Sequence, residues 1–196
     1  MGDGPRRRLV MRVRHTIRSI ALRRRKNRDR ETALVVLVPA AEKYVLDMRR
    51  RPKTIAMPAH ITVLYPFVQK SSLTTEVVAR LRRTFLAFEP FTFELTEVEW
   101  FEERVVYLRP SPSATFQEMS QLLTDAFPNY KPYRGAFTEI VPHLTLAESA
   151  SPSKLRAAAD SLAETLPIHG HANAVCLMAQ DTTGNWDVHT IFPLGH

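Results

Sequence analysis

The sequence predicts an α+β fold made of two similar halves. Three observations carry this. Short apolar strands alternate with amphipathic helices in the order β-α-β-α-β, and the order then recurs as β-α-β-α-β-β. The middle strand of each half holds the same pattern, His-apolar-Thr, at His60-Ile61-Thr62 and His143-Leu144-Thr145. Finally, the turn residues of 181–185 (Asp-Thr-Thr-Gly-Asn) join the last two strands as a hairpin. A length of 196 residues suits one domain, or two small lobes on one core.

Residues 33–38 are apolar throughout and read as a buried strand. Residues 40–50 read as a helix and 59–67 as the second strand. Leu73, Val77, Leu81 and Phe85 recur every four residues, so 73–88 is a helix with one apolar stripe. Residues 91–100 alternate, with Phe91, Phe93 and Leu95 on one side. The second half opens with a strand at 104–109. A helix follows at 113–127, turning Phe116, Met119, Leu122 and Leu123 inward. A strand at 139–147 comes next. Ser151 and Pro152 begin a helix that runs to about residue 166. Strands at 172–180 and 188–193 close the chain.

Composition narrows the function classes. Hydrophobic residues make up 44% and charged residues 24%, which excludes collagen-like and fully disordered chains. The longest apolar run, residues 32–38, is too short to span a bilayer. No continuous apolar stretch follows the basic start, so no secretory signal is expected. The single cysteine, Cys176, excludes an internal disulfide and a multi-cysteine zinc site. A cytoplasmic protein is the simplest expectation.

Charge is concentrated at one end. Residues 1–31 hold 12 Lys and Arg against 3 Asp and Glu, a net +9. The remainder holds 15 basic and 17 acidic residues, a net −2. The division is therefore a basic N-terminal extension, 1–31, helical or disordered, and a domain over 32–196. Leu9, Val10, Val13, Ile17 and Ile20 share one helical face. Basic residues 6–30 are thus expected to contact nucleic acid or an anionic surface, or to be merely solvated.

The repeated pattern carries the chemistry. Residues two apart on a strand share a face, so His60 projects with Thr62 and His143 with Thr145. Each pair is backed by apolar anchors, Ile61 and Val63, or Leu144 and Leu146. Rigid presentation of an imidazole beside a hydroxyl suits catalysis or phosphate binding. A solitary strand histidine is more often a packed or surface residue.

With its flanks, Leu64-Tyr65-Pro66-Phe67 and Pro142, and with Trp186 followed by Ile191-Phe192-Pro193-Leu194, the chain resembles the 2H phosphoesterase superfamily. Within it, the resemblance is to the bacterial 2′-5′ RNA ligase and cyclic phosphodiesterase branch. It covers residues 32 to 194 in element order. It implies two pseudo-symmetric lobes, each an antiparallel-type sheet with helices outside, and an active cleft between them. It also implies that His60 and His143 are the catalytic pair and that Thr62 and Thr145 bind phosphate. No metal and no cofactor are implied. Substrates would be RNA ends or nucleotides with a 2′,3′-cyclic phosphate, or 2′-5′ linkages. The two histidines would share acid and base roles, and the near-identical motifs do not say which does which. A non-catalytic RNA- or nucleotide-binding module using the same cleft and the basic tail is the alternative.

Other residues are weaker candidates. Arg134 and Tyr133, in a basic and aromatic loop before the second motif, are candidate substrate contacts, as is Trp186. Arg109 is a second arginine able to hold phosphate. Tyr107 lies in a strand expected to border the cleft, whereas Tyr65 falls opposite His60 on a regular strand and is expected in the core. His169 and His171 of the His-Gly-His run could ligate zinc from one strand face but need further ligands; His189 and Asp187 lie nearby in the facing strand of the hairpin, and no metal site is expected. No protein partner is inferable. Arg outnumbers Lys by 21 to 6, in keeping with a bacterial source.

Overall fold

The structure, a computed structural model, describes residues 30–48, 57–137, 139–148 and 151–195. Of the basic extension expected over 1–31, residues 1–29 lie outside the described residues, while Arg30 and Glu31 are described and their carbonyls accept from the Lys70 and Gln180 N–H groups.

Among the described residues, eight strands form one antiparallel sheet. They are β1 (Thr32–Leu37), β2 (His60–Leu64), β3 (Phe91–Phe101), β4 (Val105–Ser111), β5 (Leu144–Glu148), β6 (Ile168–Ala172), β7 (Ala174–Gln180) and β8 (Trp186–Pro193). Their order is β6-β3-β4-β5-β2-β1-β7-β8. Four helices pack on one face: α1 (Glu42–Met48), α2 (Thr75–Phe85), α3 (Ala114–Ala126) and α4 (Pro152–Ala163). Thr74 caps α2, its Oγ1 accepting the Val77 N–H at 3.2 Å.

The helical layer and the sheet bury one core shared by both halves. Leu34, Ile61 and Val175 from one side meet Leu95, Leu108 and Leu144 from the other, beneath Leu81, Phe85, Phe116, Met119 and Leu123 of the helices. The sheet is therefore two four-stranded lobes, β2-β1-β7-β8 and β5-β4-β3-β6, joined edge to edge. Each lobe places its motif strand innermost. The lobes are not the sequential halves, however. Strand β3 of the first half lies between β4 and β6, while β7 of the second lies beside β1.

Two boundaries differ from the sequence reading. Residues 168–172 form a strand of their own, broken from β7 at Asn173, where the sequence predicts a single strand at 172–180. The His-Gly-His run is this strand. Its glycine lies under the Phe93 ring, and a Cβ at 170 would sit 2.3 Å from Phe93 Cζ. The glycine thus serves packing. The strand expected at 139–147 begins only at Leu144, since Pro142 has no N–H for a ladder.

Bulges occur in four of the seven strand pairs and help the sheet curl. Two of them are equivalent. Register passes from Val35↔Thr62 to Leu34↔Leu64, leaving Val63 as an extra residue in β2. It passes from Tyr107↔Thr145 to Val106↔Ala147, leaving Leu146 extra in β5. In each motif strand the bulge follows the threonine, so two consecutive residues turn into the core: Val63 and Leu64, Leu146 and Ala147.

A bulge removes a carbonyl from the ladder, and a buried carbonyl needs a donor. Ser120 of α3, buried, supplies one: its Oγ donates to the Val63 carbonyl at 2.7 Å. Replacing Ser120 by Ala should cost about 1–3 kcal/mol, the penalty for an unsatisfied buried acceptor. Urea unfolding should show a lower midpoint with an unchanged slope.

Candidate active site

The two motif strands meet at the centre of the sheet, where Ile61 pairs with Leu144 in antiparallel register. Both side chains are fully buried in the core. Their neighbours must face the other way. One step along in either direction sets His60 opposite Thr145 and Thr62 opposite His143. Directly opposed positions lie about 4.5–5.5 Å apart and diagonal ones about 7–8 Å. The two imidazoles therefore occupy one diagonal of a small square and the two hydroxyls the other. All four residues are half-buried, so solvent reaches the square.

Each ring is held in the same way. His60 Nδ1 lies 2.7 Å from the Pro58 carbonyl, and His143 Nδ1 lies 2.7 Å from the Val141 carbonyl. A carbonyl only accepts, so Nδ1 carries the proton. In the neutral ring the basic lone pair is then on Nε2. The chain entering His60 is also tied down, because Glu42 Oε2 accepts the Ala59 N–H at 2.5 Å.

The walls beside the square differ. Next to β2, Leu37 stands opposite His60 and Val35 opposite Thr62. Beyond them Ala33, Cys176 and Met178 form a small apolar cluster, flanked by Met57, Tyr65 and Trp186. Burial pushes the Cys176 thiol pKa up. Next to β5 the wall is aromatic and charged. Tyr107 stands opposite Thr145, and Glu99 stands opposite Tyr107. The Tyr107 hydroxyl donates to Glu99 Oε2, and Arg109 Nη1 donates to Glu99 Oε1 at 3.1 Å. Tyr107 holds the Glu99 carboxyl below its usual range, while burial and that carboxylate push the phenol up. Phe101 stacks on Tyr107 at 4.1 Å, and the two rings meet His143 edge-on at 5.0 and 5.3 Å. Burial in this corner lowers the His143 pKa, opposed by the Val141 carbonyl and the Glu148 carboxylate.

The remaining candidates group on the β2 side. Tyr65 is expected in the core on a regular strand, but the bulge at Val63 reverses the alternation and brings it onto the face of His60 and Thr62. It meets Trp186 edge-on at 6.2 Å, and its hydroxyl donates to Glu31. Arg134 Nη2 donates to the same carboxylate at 2.9 Å, and the Tyr133 N–H donates to the Tyr65 carbonyl at 2.6 Å. Tyr133 and Arg134 both adopt left-handed backbone, φ 49° and 59°. Arg134, Tyr133 and Trp186 are thus gathered around Tyr65. His169 pairs with Glu94 at 3.2 Å. Among the described residues, no three of His, Cys, Asp and Glu cluster as a metal site would need.

Sequence reasoning missed Glu99, Phe101 and Glu31. The signal for the first two was available: Glu97, Glu99 and Phe101 alternate along one face of β3. Glu31 meets Arg134 across more than a hundred residues, and no local pattern marks such a pair.

A family model described as the 2′-5′ RNA ligase superfamily matches residues 38–184. The chain belongs to this superfamily, that of the 2H phosphoesterases. Both motifs fall inside the matched residues, and the basic extension falls outside. The 2H chain is 27% identical over 152 residues to the protein of Halalkalibacterium halodurans named "Putative phosphoesterase BH1439", across 76% of this chain and 86% of that one. A similarly named protein of Bacillus licheniformis is 25% identical across 75% and 86%. Among solved structures, E. coli LigT complexed with 3′-AMP superposes with a TM-score of 0.54 at 17% identity, over 85% of this chain and 99% of that one. TT0787 of Thermus thermophilus superposes at 0.59 with 16% identity, over 85% and 99%. These superpositions establish the 2H fold, a curled antiparallel sheet with few helices. No helix of the described residues is long and apolar enough to cross a membrane.

The depressed His143 pKa has a consequence for stability. The unfolded ring takes up a proton near pH 6.5 and the folded ring only at lower pH. Between those values the unfolded state binds more protons, so stability falls as pH falls. The contribution is complete above about pH 6.5 and is lost progressively on acidification. Replacing His143 by Gln should flatten the decline in unfolding free energy between about pH 7 and 5. Parallel decline in both proteins would contradict the assignment.

Proposed function

We propose that the protein is a phosphodiesterase of 2′,3′-cyclic phosphate RNA ends or nucleotides, or of 2′-5′ linkages, working by two-histidine acid–base catalysis. One observation carries this reading: the Ile61↔Leu144 register, which makes a square of two imidazoles and two hydroxyls on one face. A phosphodiester placed over that square has an imidazole on each side of phosphorus. That is the arrangement an in-line displacement requires.

The asymmetry of the walls supports a division of labour. His143, kept neutral by burial, takes the proton from the attacking water or hydroxyl at Nε2. As the new P–O bond forms, the bond to the leaving ribose oxygen breaks, and His60 in its protonated form delivers a proton there. Thr62 and Thr145 donate to the non-bridging oxygens, where negative charge accumulates. His143 ends protonated and His60 neutral, and exchange with solvent restores both.

Turnover of a short RNA ending in a 2′,3′-cyclic phosphate, with EDTA present, tests the reading. Replacing either His60 or His143 by Ala should lower kcat by about 10²–10⁴-fold. Replacing Thr62 or Thr145 by Val should lower it by about 10–10²-fold. RNA binding without turnover by the wild-type protein would instead favour the binding module.

Basic residues 6–30 supply, in this reading, sequence-independent affinity for longer RNA. Affinity should then fall steeply with salt, and removing residues 1–29 should flatten the slope while leaving turnover of a mononucleotide unchanged. An unchanged slope would remove the tail from RNA binding.

A further inference from the structure

The His143 ring is fixed about one axis by the Val141 carbonyl. A second constraint is needed to stop the ring from rocking about that bond. Phe101 and Tyr107 provide it, since both rings meet His143 edge-on, at interplanar angles of 80° and 63°. They are themselves stacked at 20°. Strand pairing alone does not hold that stack in place. Tyr107 is 3% exposed and carries a hydroxyl that must find a partner. The partner is Glu99, one strand further out. Glu99 is immobilised in turn, because its other oxygen accepts from Arg109. Carboxylate, phenol and imidazole therefore form a chain from β3 through β4 to the segment that enters β5.

We propose that Glu99 is a positioning residue for His143, acting through the hydroxyl of Tyr107. Its carboxylate keeps the Tyr107 ring, and with it Phe101, closed against the imidazole. The corner keeps water off one flank of the ring and aims Nε2 at the square.

The charged and titratable groups around His143 are Tyr107 and Arg109 from β4, Glu99 and Glu97 from β3, Glu148 at the far end of β5 and His60 diagonally across on β2. Of the carboxylates, Glu148 acts on the ring directly and favours its protonated form. Glu99 is engaged by Tyr107 and Arg109. Loss of Glu99 is therefore felt by His143 as an opening of the corner.

The inference rests on the proposed function only for its kinetic readout, so the first test does not use turnover. The His143 ring is titrated by NMR in the full-length protein and in four variants. Glu99→Ala and Tyr107→Phe should each move the midpoint up toward the ordinary histidine value by about half a pH unit or more. The double variant should show the shift of either single change. Glu99→Gln, which keeps an acceptor for the phenol, should restore the wild-type midpoint. In turnover, Glu99→Ala should lower kcat about 3–10-fold, leave KM within about twofold, and move the acid limb of the pH profile with the NMR midpoint. An unmoved midpoint in Glu99→Ala, or additive shifts in the double variant, would overturn the proposal. So would a Glu99→Gln variant as altered as Glu99→Ala, which would assign the effect to the charge facing Arg109. A wild-type protein without turnover, whose midpoints still shift as described, would overturn the phosphodiesterase reading and leave the positioning intact.

Discussion

The site depends on one antiparallel register. Ile61 against Leu144 is where two lobes become one sheet, and it is also what sets each histidine opposite the other motif's threonine. A slip of either strand by one residue would turn that strand's histidine and threonine into the core and bring its Ile61 or Leu144 out. Burial of those two apolar side chains therefore enforces the geometry of the square. The bulges after Thr62 and Thr145 reinforce it, because each sends two successive residues inward and anchors the strand just beyond the motif. Hydrophobic burial, which is non-directional, here specifies a directional arrangement of polar groups.

A nearly symmetric square is set between unlike walls. Leu37 and Val35 border one motif, while Tyr107, Glu99, Arg109 and Phe101 border the other. Two rings with the same hydrogen bond at Nδ1 thus stand in different surroundings. The proposed acid–base reaction at one phosphorus would need the two histidines in opposite protonation states. Identical motifs in identical walls would not favour one assignment over the other. The difference comes from strands outside the motifs, chiefly β3 and β4.

Much of this was legible in the sequence, and the rest was not, for identifiable reasons. The alternation of apolar residues placed the strands and helices, and the two His-apolar-Thr patterns marked the strands that meet. Periodicity reports which face a side chain takes only while a strand stays regular. At Val63 it does not, so Tyr65 emerges beside Thr62 rather than behind it. The break at Asn173 was hidden because the residues on either side suit a strand equally well. The glycine of the His-Gly-His run gains its reason only from Phe93, far away in sequence, which lies over it. The pairing of Glu31 with Arg134 shares the same obscurity, since the sequence marks Arg134 as a candidate contact but nothing local ties it to Glu31 until the fold joins them.

The exchange of β3 and β7 between halves bears on how the molecule is made. Strand β1, which flanks the first motif, is completed on its outer side by β7, residues 174–180. A chain emerging from the ribosome therefore has its first motif early but lacks the outer support of that motif's lobe until residues 174–180 have been synthesised. The first half cannot mature by itself while the second is made, because its own third strand belongs to the other lobe. Contacts of long sequence separation close late, after much loop entropy has been lost. Assembly of the site is thereby tied to synthesis of β7, and a product ending before residue 174 would carry both motifs without the strand that flanks β1.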